Sequence, residues 1–444
     1  MKNRAADQAL ATIGGRIDVP EDIKQLNGEL EIISESVQPR FSLERTFASL
    51  KYRNYRLWFI GQLASLVGTW MQTTAQGYLV YELTKSPAYL GYVGFAGGVP
   101  SWFFMLYGGV ISDRMSRRLL MIITQTAMMV LAFILAALTF TSVVQPWHII
   151  VLAFGLGVAN AFDAPARQAF VLEMVDRKDM ANAIALNSMM FNSATAVGPA
   201  IAGIAYALVG PGWCFTINGI SFIAVIIALM LMDIKPMPQR ARSTSTIHDL
   251  REGMQYVAHH VEIRSLIFIA LLVSTFGLGY AVLIPAWAVK VLGGDATTAG
   301  LMQSARGVGS LIGAFMIAAL GRFRFKGKLL TVGTFVFPIF ILLFTASRNV
   351  PLSLLLLVGV GLGSMIIFNM LNTLIQMLVS DQVRGRVLGI YSLTFFGSAP
   401  IGSLLTGGVA DAIGEPITVL STALITFACA VYYFARLPQL RKLE

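Results

Sequence analysis

Three ionisable side chains stand where an apolar sequence leaves them little water. Asp163 and Arg167 are one helical turn apart in the stretch 147–171. Arg306 lies about ten residues into the stretch 296–320, hence ~15 Å deep if that stretch is a bilayer-crossing helix. A charge at such depth is costly and marks a functional position by default. Asp163 is the only acid well inside an apolar stretch, so it is the candidate proton carrier. The competing reading makes it a structural ion pair with Arg167 that holds the helix against its neighbours. Arg306 would attract an anionic substrate group, or a carboxylate across a cavity. These three are the coupling candidates.

Enzyme chemistry finds no footing. The histidines, His148, His248, His259 and His260, lie near the end of an apolar stretch or in the central polar segment, and HExxH is absent. Cys214 and Cys429 sit in apolar stretches and read as small buried residues, with neither disulfide nor metal expected. The string Gly321–Leu329 has five residues between its glycines, where a phosphate-binding loop needs four, and no Ser or Thr follows Lys328. No nucleotide, metal or other cofactor is expected.

A second set of polar groups recurs at helical period. One stretch carries Gln62, Ser65, Thr69, Gln72, Thr73 and Gln76; others carry Ser188, Asn192 and Thr195, then Gln303, Arg306 and Ser310, then Asn369, Asn372, Thr373 and Gln376. A helix surrounded by lipid gains nothing from amides, so the stripes are expected to line a cavity. The alternative is polar glue between packed helices. The stripe is amide-rich and weakly charged, which suits a neutral or weakly charged organic molecule.

The elements that must position these residues are bilayer-spanning helices. The chain is 56% hydrophobic and 13% charged, far from a soluble domain's roughly 25%. Twelve apolar stretches fill it between Tyr55 and Leu437, and inside a bilayer only a helix satisfies its backbone within one segment. The stretches centred in the third, sixth, ninth and twelfth spans are nearly bare of polar groups and are expected on the outside of the molecule. Basic residues alternate between connections. Lys51, Arg117, Arg118, Arg177, Lys178, Arg324, Arg384 and Arg436 share one side, against Lys85, Lys290 and Arg348 on the other. The basic side is cytoplasmic by the positive-inside rule, so both termini lie inside. The net charge of +10 thus reports orientation, and no nucleic-acid partner is expected. The chain divides into a mobile tail (1–45), a first six-helix bundle (46–234), a linker with an amphipathic surface helix (235–264), a second six-helix bundle (265–437) and a short tail (438–444). Glycine spacing in the second and eighth spans, and Pro199 against Pro400, mark the bundles as repeats.

Gly109-Val-Ile-Ser-Asp113-Arg114-Met-Ser-Arg117-Arg118 resembles the cytoplasmic signature of the major facilitator superfamily, a latch in which Asp113 caps a helix or pairs with Arg114 or Arg117. Ser116 replaces the usual glycine. Gly198-Pro199 with Gly203 resembles the motif of that superfamily's antiporter branches. Arg53–Leu57, Gly68–Gln72 and Asn160–Gln168 are similar to the transmembrane secretion effector branch, which includes enterobactin-exporter-like and macrolide-efflux-like proteins. The resemblance implies an all-α fold and a monomeric secondary transporter in a bacterial inner membrane. It implies efflux of a siderophore- or drug-like molecule, with protons as the second partner. Import of a small solute and a sensor on the same scaffold are the alternatives.

Overall fold

The structure, a computed structural model, describes residues 47–104, 111, 115–233, 246–321, 323–441 and 443. Internal contacts divide the chain into two units at Ala48/Ser49, and the helical body is the unit Ser49–Glu444. The expected tail 1–45 and most of the polar linker lie outside the described residues.

Every regular element described is helical. In order they are α1 (Arg53–Thr84), α2 (Pro87–Gly98), α3 (Arg117–Phe140), α4 (Pro146–Val171), α5 (Met180–Val209), α6 (Pro211–Leu231), α7 (Thr246–His259), α8 (Val261–Leu272), α9 (Ile284–Lys290), α10 (Ala296–Leu320), α11 (Lys326–Ala346), α12 (Val350–Leu378), α13 (Arg384–Ile413) and α14 (Glu415–Arg436). Ten helical segments among the described residues are long and apolar enough to cross a membrane, α8 and α9 counting as one. α1 has the length but not the hydropathy, because glutamines and threonines occupy one of its faces.

Starts and stops follow elementary backbone chemistry. Proline opens α2, α4, α6, α12 and α14, where a missing N–H costs nothing. The α5–α6 and α13–α14 turns share one geometry: Gly210 at φ 88° and Gly414 at φ 87° reverse the chain in a conformation that favours glycine. The same turn at matching places is a structural sign of a repeat. Between α8 and α9 the helix loosens into a π turn at Val273–Gly277 and a 3₁₀ turn at Gly279–Leu283, the kind of break that often marks a functional segment.

One large buried cluster draws on Val257 through Leu440. Two others are built almost wholly from Tyr55 through Met232. Two helix pairs join these halves. α2 meets α13 so closely that a Cβ on Gly91 would lie 2.8 Å from the Ser403 carbonyl oxygen, and one on Gly407 would lie 2.7 Å from the Gly91 Cα. α5 meets α10 where Gly300 presses on the Pro199 carbonyl and Gly307 on that of Thr195. Small residues permit such backbone approach between membrane helices.

Both seams are closed at one end only. On α5, Ser188 lies two turns before Thr195 on the same face and is exposed, and Ile184, one turn further, is 51% exposed. On α13, Gly407 is tightly covered by Pro87 and Gly91 of α2, whereas Gly385 and Gly389 have nothing within 4 Å. The open end carries the basic residues; the closed end carries Lys85, Lys290 and Arg348.

Helix α7 docks on protein. Glu252 receives Arg386 of α13 at 2.6 Å, and a Cβ on Gly253 would meet Ile390 at 2.9 Å. Of the apolar positions Met254, Val257 and Val261, only Val257 is buried.

Candidate functional site

A cavity of ≈ 320 Å³ lies at the join of the halves, lined by α1, α2, α3, α4 and α6 on one side and by Ala281, Val282, Pro285 and Gln303 on the other. A second space of ≈ 250 Å³ continues from it within the first half, sharing Thr69, Thr73, Met128, Asn160 and Phe222. Its wall includes Phe191 of α5, which is 46% exposed, so the space runs toward the open end.

The α1 stripe faces these spaces along its whole length. Thr69, Gln72, Thr73 and Gln76 line the first and Gln62, Ser65, Thr69 and Thr73 the second. Several of its amides are only half satisfied. Gln72 accepts from Asn218 at 2.7 Å while its own Nε2 has no partner, and Gln62 Oε1 has none. Gln303 reaches the first cavity from α10. Asn192 donates to the Ser188 carbonyl at 2.8 Å and lines neither space. On α12, Asn369, Asn372, Thr373 and Gln376 also stay outside both, with Gln376 donating to Asn372 at 3.0 Å.

Asp163 is 1% exposed and borders the second space. Its Oδ1 accepts from Thr124 at 2.9 Å and from Gln125 at 3.1 Å. Its Oδ2 has no hydrogen bond and faces Arg167 Nε at 3.7 Å. The carboxyl is therefore oriented by one oxygen and loosely held by the other. Both helpers come from α3, and Asn218 comes from α6, two helices expected to be bare. Sequence periodicity misses them because Thr124 and Gln125 are adjacent and Asn218 is solitary. An amide isolated in an apolar run was the available signal.

Arg306 is half-buried and, unlike Gln303 one turn before it, lines neither space. Gly109, Asp113 and Arg114 of the latch lie outside the described residues. Arg117 pairs with Glu173 at 2.5 Å and Arg118 donates to the Met230 carbonyl at 2.8 Å, both within the first half. In the Gly-Pro motif, Gly198 packs on α1, where a Cβ would lie 2.7 Å from that of Trp70, while Pro199 and Gly203 pack on α10. That motif therefore sits where α5 meets both α1 and the opposite half.

At the closed end, Ser86 donates to Asp411 at 2.6 Å across the halves, Lys290 pairs with Glu415 at 2.9 Å, and Tyr206 donates to Glu82. Deeper, Trp102 Nε1 donates to the Gly397 carbonyl at 2.8 Å, again across the seam.

Paired helical halves around a central polar cavity, closed at one end, are the architecture of a membrane transporter. The transmembrane secretion effector family model matches residues 44–444, and the chain belongs to that family, within the major facilitator superfamily. It is similar to the staphyloferrin A transporter of Staphylococcus aureus (strain NCTC 8325 / PS 47), at 27% identity over 88% of this chain and 98% of the relative. It also resembles the multidrug efflux pump Tap of Mycolicibacterium fortuitum, at 25% identity over 86% and 95% of the two chains. Macrolide efflux protein A of Streptococcus pyogenes matches at 22% identity over 89% and 99%. Among solved structures, the nucleoside transporter NupG superposes with a TM-score of 0.69 at 14% identity, covering 86% of this chain and 99% of that one. A bacterial homologue of the lysosomal transporter Spinster, inward-facing and unoccupied, gives 0.69 at 14% identity over 88% and 98%. The protein is a multi-pass plasma-membrane transporter of small molecules, and not an enzyme.

Proposed function

We propose that the protein exports a small organic molecule from the cytoplasm by alternating access, coupled to protons and working as a monomer. In this reading the chain crosses twelve times, as bundles 46–234 and 265–437 joined by the segment 235–264, with both termini cytoplasmic. The observation that carries it is the one-sided seam: the halves touch backbone to backbone at the end poor in charge and part at the basic end, where the cavity opens. Basic loops stay cytoplasmic, so this is the inward-facing state, poised to load from inside. Two efflux proteins among the relatives, Tap and macrolide efflux protein A, support the outward direction.

The cavity wall fits a substrate path better than polar glue. Interhelical hydrogen bonds in membranes average about 0.6 kcal/mol. Gln62 Oε1, Gln72 Nε2 and Gln125 Oε1 make no hydrogen bond to another protein group. A stripe serving only to pack helices would pair such groups across the contact; here they are left to meet water or cargo. Asp163 is the candidate coupling residue, and Asp113 with Arg114 and Arg117 the candidate cytoplasmic latch.

Flux in everted membrane vesicles tests the direction. With a panel of radiolabelled siderophores and macrolides, energised vesicles should accumulate label in proportion to the amount of transporter. Loss of preloaded label on energisation would identify an importer.

A further inference from the structure

We infer that Gln72, Asn160 and Gln303 form an amide subsite in the first cavity, which takes an uncharged, carboxamide-like group of the cargo and turns away a charged one. The inference rests on reading that cavity as the substrate path and names the chemistry read there.

Charge comes first. Among the described residues, no Asp, Glu, Lys, Arg or His lines the first cavity. The pair Asp163 and Arg167 borders only the second space. Leu90, Val93 and Phe222 of the first half and Ala281, Val282 and Pro285 of the second give the first cavity an apolar lining. A charged group entering between these surfaces loses water and meets no counter-ion, which is costly. An uncharged polar group loses less, and the cavity holds partners for it.

Those partners are free amides on the walls of both halves. Gln72 lines the cavity and is 2% exposed. Asn218 donates to its oxygen at 2.7 Å, and Ser221 donates to the Asn218 side-chain oxygen at 3.1 Å. This chain decides which end of Gln72 is left over. The oxygen is taken, and Nε2, which has no partner, remains as a fixed donor. Asn218 is therefore a positioning residue. Asn160 is exposed midway along α4, lines both spaces, and hydrogen-bonds to no other described residue. Gln303 is half-buried and equally without a hydrogen bond, and it is the one polar side chain that the second half brings to this wall. An amide both donates and accepts, so free amides match a carboxamide in both directions. A carboxylate offers only acceptors and an ammonium only donors. A site of this kind discriminates through the polar atoms that a mismatched cargo leaves unpaired.

N-acetyltryptophanamide is the probe, since it is uncharged and joins two carboxamides to an apolar ring. N-acetyltryptophan and tryptophanamide are its anionic and cationic counterparts at about pH 6, below the α-amino range. Each is radiolabelled and dialysed to equilibrium against the purified full-length protein in nonionic detergent, with uptake by protein-free micelles subtracted. The neutral probe should bind saturably, and both charged ones more than about tenfold more weakly. Gln72→Leu, Asn160→Leu and Gln303→Leu should each weaken the neutral probe about two- to tenfold. Asn218→Ala should weaken it by a similar factor, but by nothing further in a Gln72→Leu background, because it acts through Gln72. Gln303→Leu lies in the other half and gives the reading if Gln72→Leu does not fold. The subsite is overturned if the neutral probe fails to bind saturably, if either charged probe binds as well or better, or if both Gln72→Leu and Gln303→Leu bind as wild type. An Asn218→Ala effect undiminished by Gln72→Leu overturns the positioning role of Asn218. Dialysis needs no gradient and no direction, so the export reading can fail in vesicles while the subsite stands. A charged probe held at these same residues overturns the subsite and leaves the cavity as the path.

Discussion

Asp163 is held asymmetrically, and that asymmetry decides what its removal does. Thr124 and Gln125 orient one carboxyl oxygen while the other meets Arg167 only at 3.7 Å. Asparagine keeps the oriented oxygen and loses the titrating function. Asp163→Asn should therefore abolish efflux driven by a pH gradient while preserving substrate exchange between vesicle interior and medium. Driven efflux surviving in a well-folded variant would assign Asp163 to the structural pair. Asn218 makes a simpler case: Asn218→Ala deprives Gln72 of its one partner, and the protein should lose about 1–3 kcal/mol of stability, read as a lower unfolding temperature in detergent. Outside the membrane, Lys51 and then Tyr52 hold the Asp179 carboxyl below its ordinary value of 3.8. A lowered folded-state value contributes stability above the unfolded value and loses it as pH falls through the folded one. The advantage of wild type over Asp179→Asn in thermal denaturation should thus be level above pH 3.8 and shrink only below it. An advantage lost near neutrality would point to another group.

Helices reveal which parts of the arrangement a sequence can express. The α1 stripe was legible because six polar residues repeat on one face, and the Gly210 and Gly414 turns stand at clear breaks in apolar pattern. Gln125 and Asn218 were not legible, since a single amide has no period. Nor was the position of the α12 stripe: periodicity places Asn369, Asn372, Thr373 and Gln376 on one face but does not say what that face meets. The closed seam belongs to this scale too. Its glycines look like generic small-residue packing until the partner helix is known, and Gly91 meets Gly407 more than 300 residues away in the chain. Gly407→Val places carbon against the α2 backbone in the closed state alone. Overpacking of this kind costs about 1–3 kcal/mol, enough to move a near-balanced equilibrium roughly five- to hundredfold. A cysteine at Thr73 should then react faster with a membrane-impermeant reagent added outside. Unchanged reactivity would mean that the seam is not what closes that end.

For the whole molecule, the charge pattern and the one-sided seam make a joint statement about orientation. Cysteine labelling of sealed cells should reach Lys85 and Arg348 and spare Lys178; labelling at Lys178 would invert the assignment. Grant that orientation, and the seam acquires an electrical meaning. Water filling the cavity from the basic end would bring the cytoplasmic potential far into the membrane, so most of the voltage would fall across the thin contact of α2 with α13 and α5 with α10. Displacing one elementary charge through ~100 mV is worth about 2.3 kcal/mol. Asp163 and Arg306 need not move to feel that work, because when the seam changes ends the field is carried past them. Binding on the cytoplasmic side should then be nearly indifferent to voltage, with the voltage dependence concentrated in the step that reverses the seam.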